Sequence, residues 1–330
     1  MTNEEFRTTA KRRTFLSLST AAVTAGVAFH GGPAAAAGPD RDGPGRPETA
    51  RPPDAELRAL LRDIDRHRIE ATVRKLVGFG TRHTLSSQDD PARGIGAARD
   101  WILAEMQRYA ASSGGRMTAE LQSYIQEPAS RIPVPTRITN VVATLRGSAA
   151  PDRIYVVSGH YDSRVIYRRD RYLRGGDHIG FLEQGYPAAR FTEPHENFDH
   201  QHQDVRVENG RQYGDLPEFC DFAYIARVSR VNAATLWSLA QAPGTPKNAR
   251  VRTDRLTNDT DLVWARGTEP DLAGYEVVWR ETTAPDWEYV IPVGNVTEAR
   301  VDLSKDNVFF GVRAVDRAGH RSPVAFPVPS

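Results

Sequence analysis

The stretch RIYVVSGHYDSR, Arg153 to Arg164, decides the fold. Ile154 to Val157 is a short continuous apolar run, the pattern of a strand covered on both faces. Such a strand belongs to a layered α/β domain with helices on either side. At its C-terminal tip stand His160 and Asp162. Being two apart, they share one side of the strand. A histidine with an acidic neighbour suits a metal ligand and the group that orients it. A lone His-x-Asp also matches at random, so the flanking sequence has to decide.

Outward from that strand the pattern is consistent. Leu57, Leu60, Leu61 and Ile64, continued by Ile69, Val73, Leu76 and Val77, give helical periodicity that GFGTR (Gly78–Arg82) breaks. A second helix is predicted over about 94–111, with Ile95, Ile102, Met106 and Tyr109, and SSGG (Ser112–Gly115) ends it. Strand signals follow at 116–126, at 137–147, which reads as a central strand, and at 153–160, with another at 185–193. A long helix is predicted over about 217–240. Past a linker at about 241–250 the pattern turns to regular short strands, carrying Trp264, YEVVW (Tyr275–Trp279) and FFGVRAV (Phe309–Val315). Short strands separated by turn-rich segments indicate a β-sandwich.

The N-terminus reads as an address. Arg12-Arg13 precede Phe15-Leu16, a short apolar run and a small-residue stretch ending near Ala37. This is the form of a twin-arginine export signal over 1–37, and the run is too short and too diluted for a membrane span. Residues 38–54 are rich in Pro, Gly and charge, and are expected to be a disordered linker. The expected location is therefore outside the cell, with no membrane contact after signal cleavage. The 330 residues carry a net charge of +1, which gives no electrostatic case for nucleic acid. The single cysteine, Cys220, excludes a disulfide framework or a cysteine zinc site within one chain, and reads as an inert thiol.

Downstream of the opening stretch, RFTEPHENFDHQHQD (Arg190–Asp204) offers His195, His200 and His202 with Glu193, Glu196, Asp199 and Asp204. Imidazoles and carboxylates in that mixture suit zinc best.

Three segments carry a family resemblance: VVSGHYDSR (156–164), GGDHIGF (175–181) and FDHQHQD (198–204). Residues 55–165 and 166–240 resemble the two ends of the secreted dinuclear-zinc aminopeptidases, metallopeptidase family M-twenty-eight of the bacterial leucyl aminopeptidase type. The resemblance implies that His160 is a zinc ligand and that Asp162 orients the site from behind it. It implies that Asp177 and His178 lie beside the active site. It maps the last ligand onto His200, backed by Asp204, with His202 as the rival. Peptides are the substrates it implies, with two zinc ions in an intact member. The family also carries a bridging Asp, a Glu-Glu pair and a further Asp ligand, and no such motif lies between Asp162 and Gly176. That gap is shorter than the roughly 30 residues a βαβ unit takes. Asp170, Asp177, Glu193 or Glu196 would have to substitute.

Residues 254–327 resemble a fibronectin type III module: Trp264 matches its core tryptophan, GYEVVWR its central strand and VRAVDRAGHRSP its final hairpin. Val308 stands where that family has its corner tyrosine. The partner of this module is not legible.

The expected fold class is thus α/β, a truncated zinc-exopeptidase-like mixed sheet with flanking helices over 55–245, interrupted near 163–166. A C-terminal all-β fibronectin type III-like sandwich is expected over 251–330. The expected function is that of a secreted zinc aminopeptidase lineage with impaired catalysis, no general base and weak or absent zinc. The alternatives are a non-catalytic peptide- or protein-binding protein, or the product of an in-frame deletion or gene-model error.

Overall fold

The computed structural model describes residues 43–129, 132–161, 176–191, 197, 199–200, 203, 205–255 and 257–330. The strand β1 (Arg46–Pro47) comes first, then the helices α1 (Ala55–Arg62), α2 (Arg66–Gly78) and α3 (Gly94–Ala111). A ribbon of β2 (Met117–Gln126) and β3 (Thr136–Leu145) follows, then the short helix α4 (His178–Glu183). The hairpin β4 (Arg206–Glu208) and β5 (Arg211–Tyr213) precedes the long helix α5 (Phe222–Gln241). The remaining strands are β6 (Arg250–Val251), β7 (Thr260–Val263), β8 (Leu272–Glu281), β9 (Tyr289–Gly294), β10 (Glu298–Val301), β11 (Val308–Asp316) and β12 (Val328–Pro329).

Local chemistry explains the helix starts. Asp54 caps α1 by accepting from Leu57 N at 2.6 Å, and Asp65 caps α2 by accepting from His67 N at 3.1 Å. The single helical pattern expected over 57–77 is therefore two helices, because Asp63–Asp65 ends one and caps the next. Asp221 caps α5 through Tyr224 N at 2.9 Å. Arg93 gives α3 no side-chain cap. Instead Ser86 Oγ accepts from Ile95 N at 2.9 Å and Ser87 O accepts from Gly96 N at 3.1 Å. The loop at 86–88 thus satisfies donors that the helix itself cannot. It sits so close that a Cβ on Gly96 would lie 2.1 Å from Gln88 O. Helix α5 packs on α1 and α2, and Arg230 donates to Leu61 O at 3.1 Å and Ile64 O at 2.7 Å, closing the C-terminal end of α1.

The two halves of the chain are packed very differently. The C-terminal strands form two four-stranded sheets, ordered β1-β9-β8-β11 and β10-β7-β6-β12. Their shared core holds Leu262, Trp264, Tyr275, Val277, Trp279, Phe310 and Val312, all buried. This is a β-sandwich, as the strand spacing indicated. In the other half the buried apolar cluster is small: Phe79, Ala97 and Ala98, with Leu76, Trp101 and Tyr161 against it.

The sheet expected there is reduced. β2 and β3 pair antiparallel from Met117↔Leu145 to Gln126↔Thr136 and form a two-stranded sheet. β3 therefore does not stand as a central strand among the described residues. Arg153 to His160 follows no ladder at all, and Ile154 is 78% exposed and Val157 63% exposed. The apolar run fits a doubly covered strand, but the described residues supply neither the flanking strands nor the covering layers. Residues 186–191 likewise form no strand, with no neighbour to pair with among the described residues.

Residues 43–51 depart from expectation in the other direction. β1 pairs with β9, and Glu48 reaches into the sandwich. Composition predicted a solvated linker because it is blind to a pairing partner more than two hundred residues away. The 241–250 segment is also partly packed: Ala242 is buried and Gly244 N donates to Glu269 Oε1 at 2.7 Å.

Candidate metal site

A large open cavity of ≈ 1960 Å³ lies between β3, the 152–160 segment and α5. Ile138 and Val142 of β3, Val156 of the segment, and Leu236, Trp237 and Ala240 of α5 line it. Three apolar surfaces of different elements thus face one another across a gap. Close packing would normally fill such a space with side chains.

His160 and Asp177 both line this cavity. His160 Nε2 stands 3.3 Å from Asp177 Oδ1, and each side chain is 42% exposed. Ser158 Oγ donates to the other carboxylate oxygen of Asp177. Asp177 is the residue before α4 but makes no side-chain cap bond there, so its carboxylate turns to the 158–160 segment. His160 is held from the next residue. Tyr161 Oη donates to Thr139 O at 2.5 Å, Arg82 Nε donates to Tyr161 O at 2.8 Å, and Arg82 Nη1 donates to Leu76 O at 2.6 Å. The GFGTR break after α2 therefore supplies the arginine that anchors the tip. Sequence reading missed Ser158, Tyr161 and Arg82. The only signal was the position of Arg82 just beyond a helix end.

The other expected residues are not gathered in the same way. His178 opens α4, next to Asp177. His200 is absent from the cavity lining, and its ring stacks on Phe219 at a centroid distance of 3.6 Å. Its neighbour Asp199 pairs with Arg211. Asp162, His202 and Asp204 lie outside the described residues, as do Asp170, His195, Glu193 and Glu196. Among the described residues no group of three His, Cys, Asp or Glu side chains could hold a metal ion. A catalytic zinc site takes three protein ligands and an open position. The 3.3 Å separation of His160 and Asp177 is about the edge of a tetrahedron with 2.0–2.1 Å bonds, so this pair alone has a zinc-compatible bite. Two ligands do not make the site, and the described donor set does not fit a dinuclear centre.

Two titratable groups have clear directions, Cys220 beside Phe219 and Glu269 in the cavity lining. Burial, with Asp215 and Glu218 close by, pushes the Cys220 thiol up, so it stays protonated and unreactive at neutral pH. Burial also pushes Glu269 up. The N–H groups of Gly244, Thr268 and Glu269 itself, with the Arg153 charge, outweigh it and hold the carboxyl below its ordinary value.

Known relatives give the family. A "probable zinc metalloprotease" of Leptosphaeria maculans is 39% identical, with 84% of this chain and 98% of that protein covered. Proteins with the same description from Pyrenophora tritici-repentis and Pyricularia oryzae are both 38% identical, with 84% and 85% of this chain and 88% and 86% of theirs covered. The chain belongs to this zinc metalloprotease family.

No family model matches the chain. Solved structures similar to it include an Fn3-like protein from Clostridium thermocellum, at TM-score 0.22 and 19% identity over 27% of this chain and 94% of that one. The FN5 domain of Drosophila Lar is similar at TM-score 0.21 and 20% identity, over 27% of this chain and 99% of that one. Likenesses of that size carry no argument, and the sandwich rests on its own strand order. The family membership implies zinc binding. The alignment with the Leptosphaeria protein adds a second fact. It runs over 421 positions, while 84% of 330 residues is about 277, so roughly 140 positions are filled by the relative alone.

Proposed function

We propose that this chain is a zinc metallopeptidase of aminopeptidase lineage that has lost an internal segment and with it most of its catalytic centre. The observation that carries the proposal is the mismatch in length within the alignment, read together with the open cavity between β3, residues 152–160 and α5. On this reading the missing segment belongs between Asp162 and Gly176, and the cavity is the volume its strands and ligands would fill. His160 would remain as the ligand at the end of the 153–160 segment, and Asp162 would orient it. His200, with His202 as its rival and Asp204 behind, would supply the second metal's histidine. Among the described residues none takes the part of the general base, whose loss typically costs about 10²–10⁴-fold. Zinc bound here would supply Lewis-acid polarisation and an activated water, but these residues do not fix its position. The chain is exported through the twin-arginine route on this account. Its C-terminal part, residues 251–330, would be a fibronectin type III-like module.

The test is an aminoacyl-nitroanilide assay on purified full-length chain, with and without added zinc. The expected result is no turnover above the zinc-only blank. Turnover that a chelator abolishes and that His160→Ala removes would overturn the proposal. Sequencing the locus distinguishes the origin of the gap: an intervening segment found there would make the short chain a gene-model error.

A further inference from the structure

We infer that the β9 edge of the sandwich is a receptor for an extended, carboxylate-bearing peptide, and that residues 43–51 of the chain occupy it as a built-in ligand. The backbone supplies the first layer of recognition. Arg46 and Pro47 pair antiparallel with Val290 and Tyr289, and Glu48 N donates to Glu288 O at 2.7 Å. Strand addition to a sheet edge takes its affinity from such main-chain bonds and its specificity from side-chain pockets. Pro47 is tolerated because β1 is an outermost strand.

Shape supplies the second layer. A Cβ on Gly43 would lie 2.3 Å from Trp279 Cζ2. Gly45 has φ +103°, and a Cβ there would lie 2.7 Å from Val290 O. Between them Pro44 O accepts from Trp279 Nε1 at 2.7 Å. The indole is itself held flat against Tyr289, with ring centroids 4.0 Å apart. Gly43 is thus fitted to the tryptophan and Gly45 to the β9 backbone, and a side chain at either glycine would lift the segment from the edge.

Charge supplies the third. Arg313 and Glu276 are buried in the sandwich, and Arg321 is nearly so. Arg313 Nε donates to Glu276 Oε2 at 2.8 Å, and Arg321 Nη2 donates to Glu276 Oε1 at 3.2 Å. Two guanidinium groups therefore share one sandwich carboxylate. Glu48 provides the second, accepting from Arg313 Nη2 at 2.6 Å and from Arg321 Nη1 at 2.8 Å. Without it the sandwich would bury an excess positive charge, which is strongly unfavourable. Arg51 closes the segment by donating to Gly319 O.

Main-chain pairing, two required glycines and a charge-matched carboxylate make this a recognition site of its own. Its ligand chemistry is an extended Gly-Pro-Gly-x-Pro-Glu peptide. In the intact chain the segment latches the two ends of the sequence together and covers the β9 edge. N-terminal processing upstream of Gly43 leaves the latch in place, and processing beyond Glu48 opens the edge to another carboxylate-bearing peptide.

Two measurements on the full chain test this. Hydrogen exchange at the Glu48 amide is compared in the wild type, Glu48→Gln and Glu48→Ala, with the β8 amides as the control for a folded sandwich. Strong protection is expected in the wild type, falling about tenfold or more in both variants while β8 stays protected, because a charged hydrogen-bond pair is lost. Second, a chain with residues 43–48 replaced by Gly and Ser is titrated with a synthetic peptide of residues 43–51, following binding by isothermal titration. One-to-one binding is expected, weakened about tenfold or more by alanine at the glutamate. An unprotected Glu48 amide in the wild type, or peptides that bind equally with and without the glutamate, or no binding of either, would overturn the inference.

Discussion

Leu262→Ala and Ile154→Ala remove aliphatic side chains from the two halves of the molecule, and their costs should differ sharply. Leu262 is fully buried in the sandwich core. Truncating a fully buried leucine loses the transfer energy of the missing carbons and leaves a partly collapsed cavity, together about 3–5 kcal/mol. Ile154 belongs to the apolar run that reads as a core strand, yet it is 78% exposed. With about a fifth of its surface covered, its truncation should cost only about 0.5 kcal/mol on a full-burial value of roughly 1.5–3. Hydrogen exchange with peptide-level resolution reads both halves at once. Leu262→Ala should raise exchange at Tyr275–Trp279 by about two to three and a half orders of magnitude, at about 1.4 kcal/mol per tenfold. Ile154→Ala should leave the β2–β3 amides within about threefold of the wild type, on the same conversion. The reasoning fails if Ile154→Ala speeds β2–β3 exchange by about tenfold or more, equivalent to about 1.4 kcal/mol. That result would mean the segment is covered by a layer, and that the cavity beside it is filled.

Gly96→Ala sets helix propensity against packing: the gain is about 1 kcal/mol, but the new Cβ meets Gln88 O at 2.1 Å. A net loss of about 1–3 kcal/mol in denaturant unfolding is expected, and a stabilised variant would refute the close approach of the 86–88 loop. Glu269 is held below its ordinary pKa in the folded chain. Its contribution to stability is complete above the unfolded pKa and is lost as pH falls through the folded one. Melting temperature should therefore fall on acidification through the carboxylate range, and Glu269→Gln should flatten part of that slope. Equal slopes in both proteins would show that the Gly244–Glu269 contact carries no linkage.

Much of the fold was legible in sequence where local pattern and tertiary packing agree. The helix at 94–111 and the strands carrying Tyr275–Trp279 and Phe309–Val315 appear where periodicity put them. The apolar run Ile154–Val157 misled because a β pattern states what a segment needs, and the described residues provide no strand to pair with it. Residues 43–51 misled in the opposite way: Gly, Pro and charge describe a solvated linker until Trp279, Arg313 and Arg321 arrive from the far end of the chain. At the site, the candidacy of His160 was legible from residue type and spacing, although its segment forms no strand among the described residues. Its neighbour Asp177 was expected beside the active site, and it stands 3.3 Å from His160 Nε2. The support from Arg82, Tyr161 and Thr139 was not, because those contacts join segments far apart in sequence. The stacking of His200 on Phe219 has no sequence signal, since nothing local links the two positions.

Under the proposed function, this member of a zinc metalloprotease family holds no complete zinc centre. Equilibrium zinc binding to the purified, metal-stripped chain, followed by isothermal titration with metal content checked after dialysis, tests it most directly. Less than one zinc retained per chain is expected, with weak binding that His160→Ala weakens further. Retention of two zinc ions per chain at high affinity would contradict it.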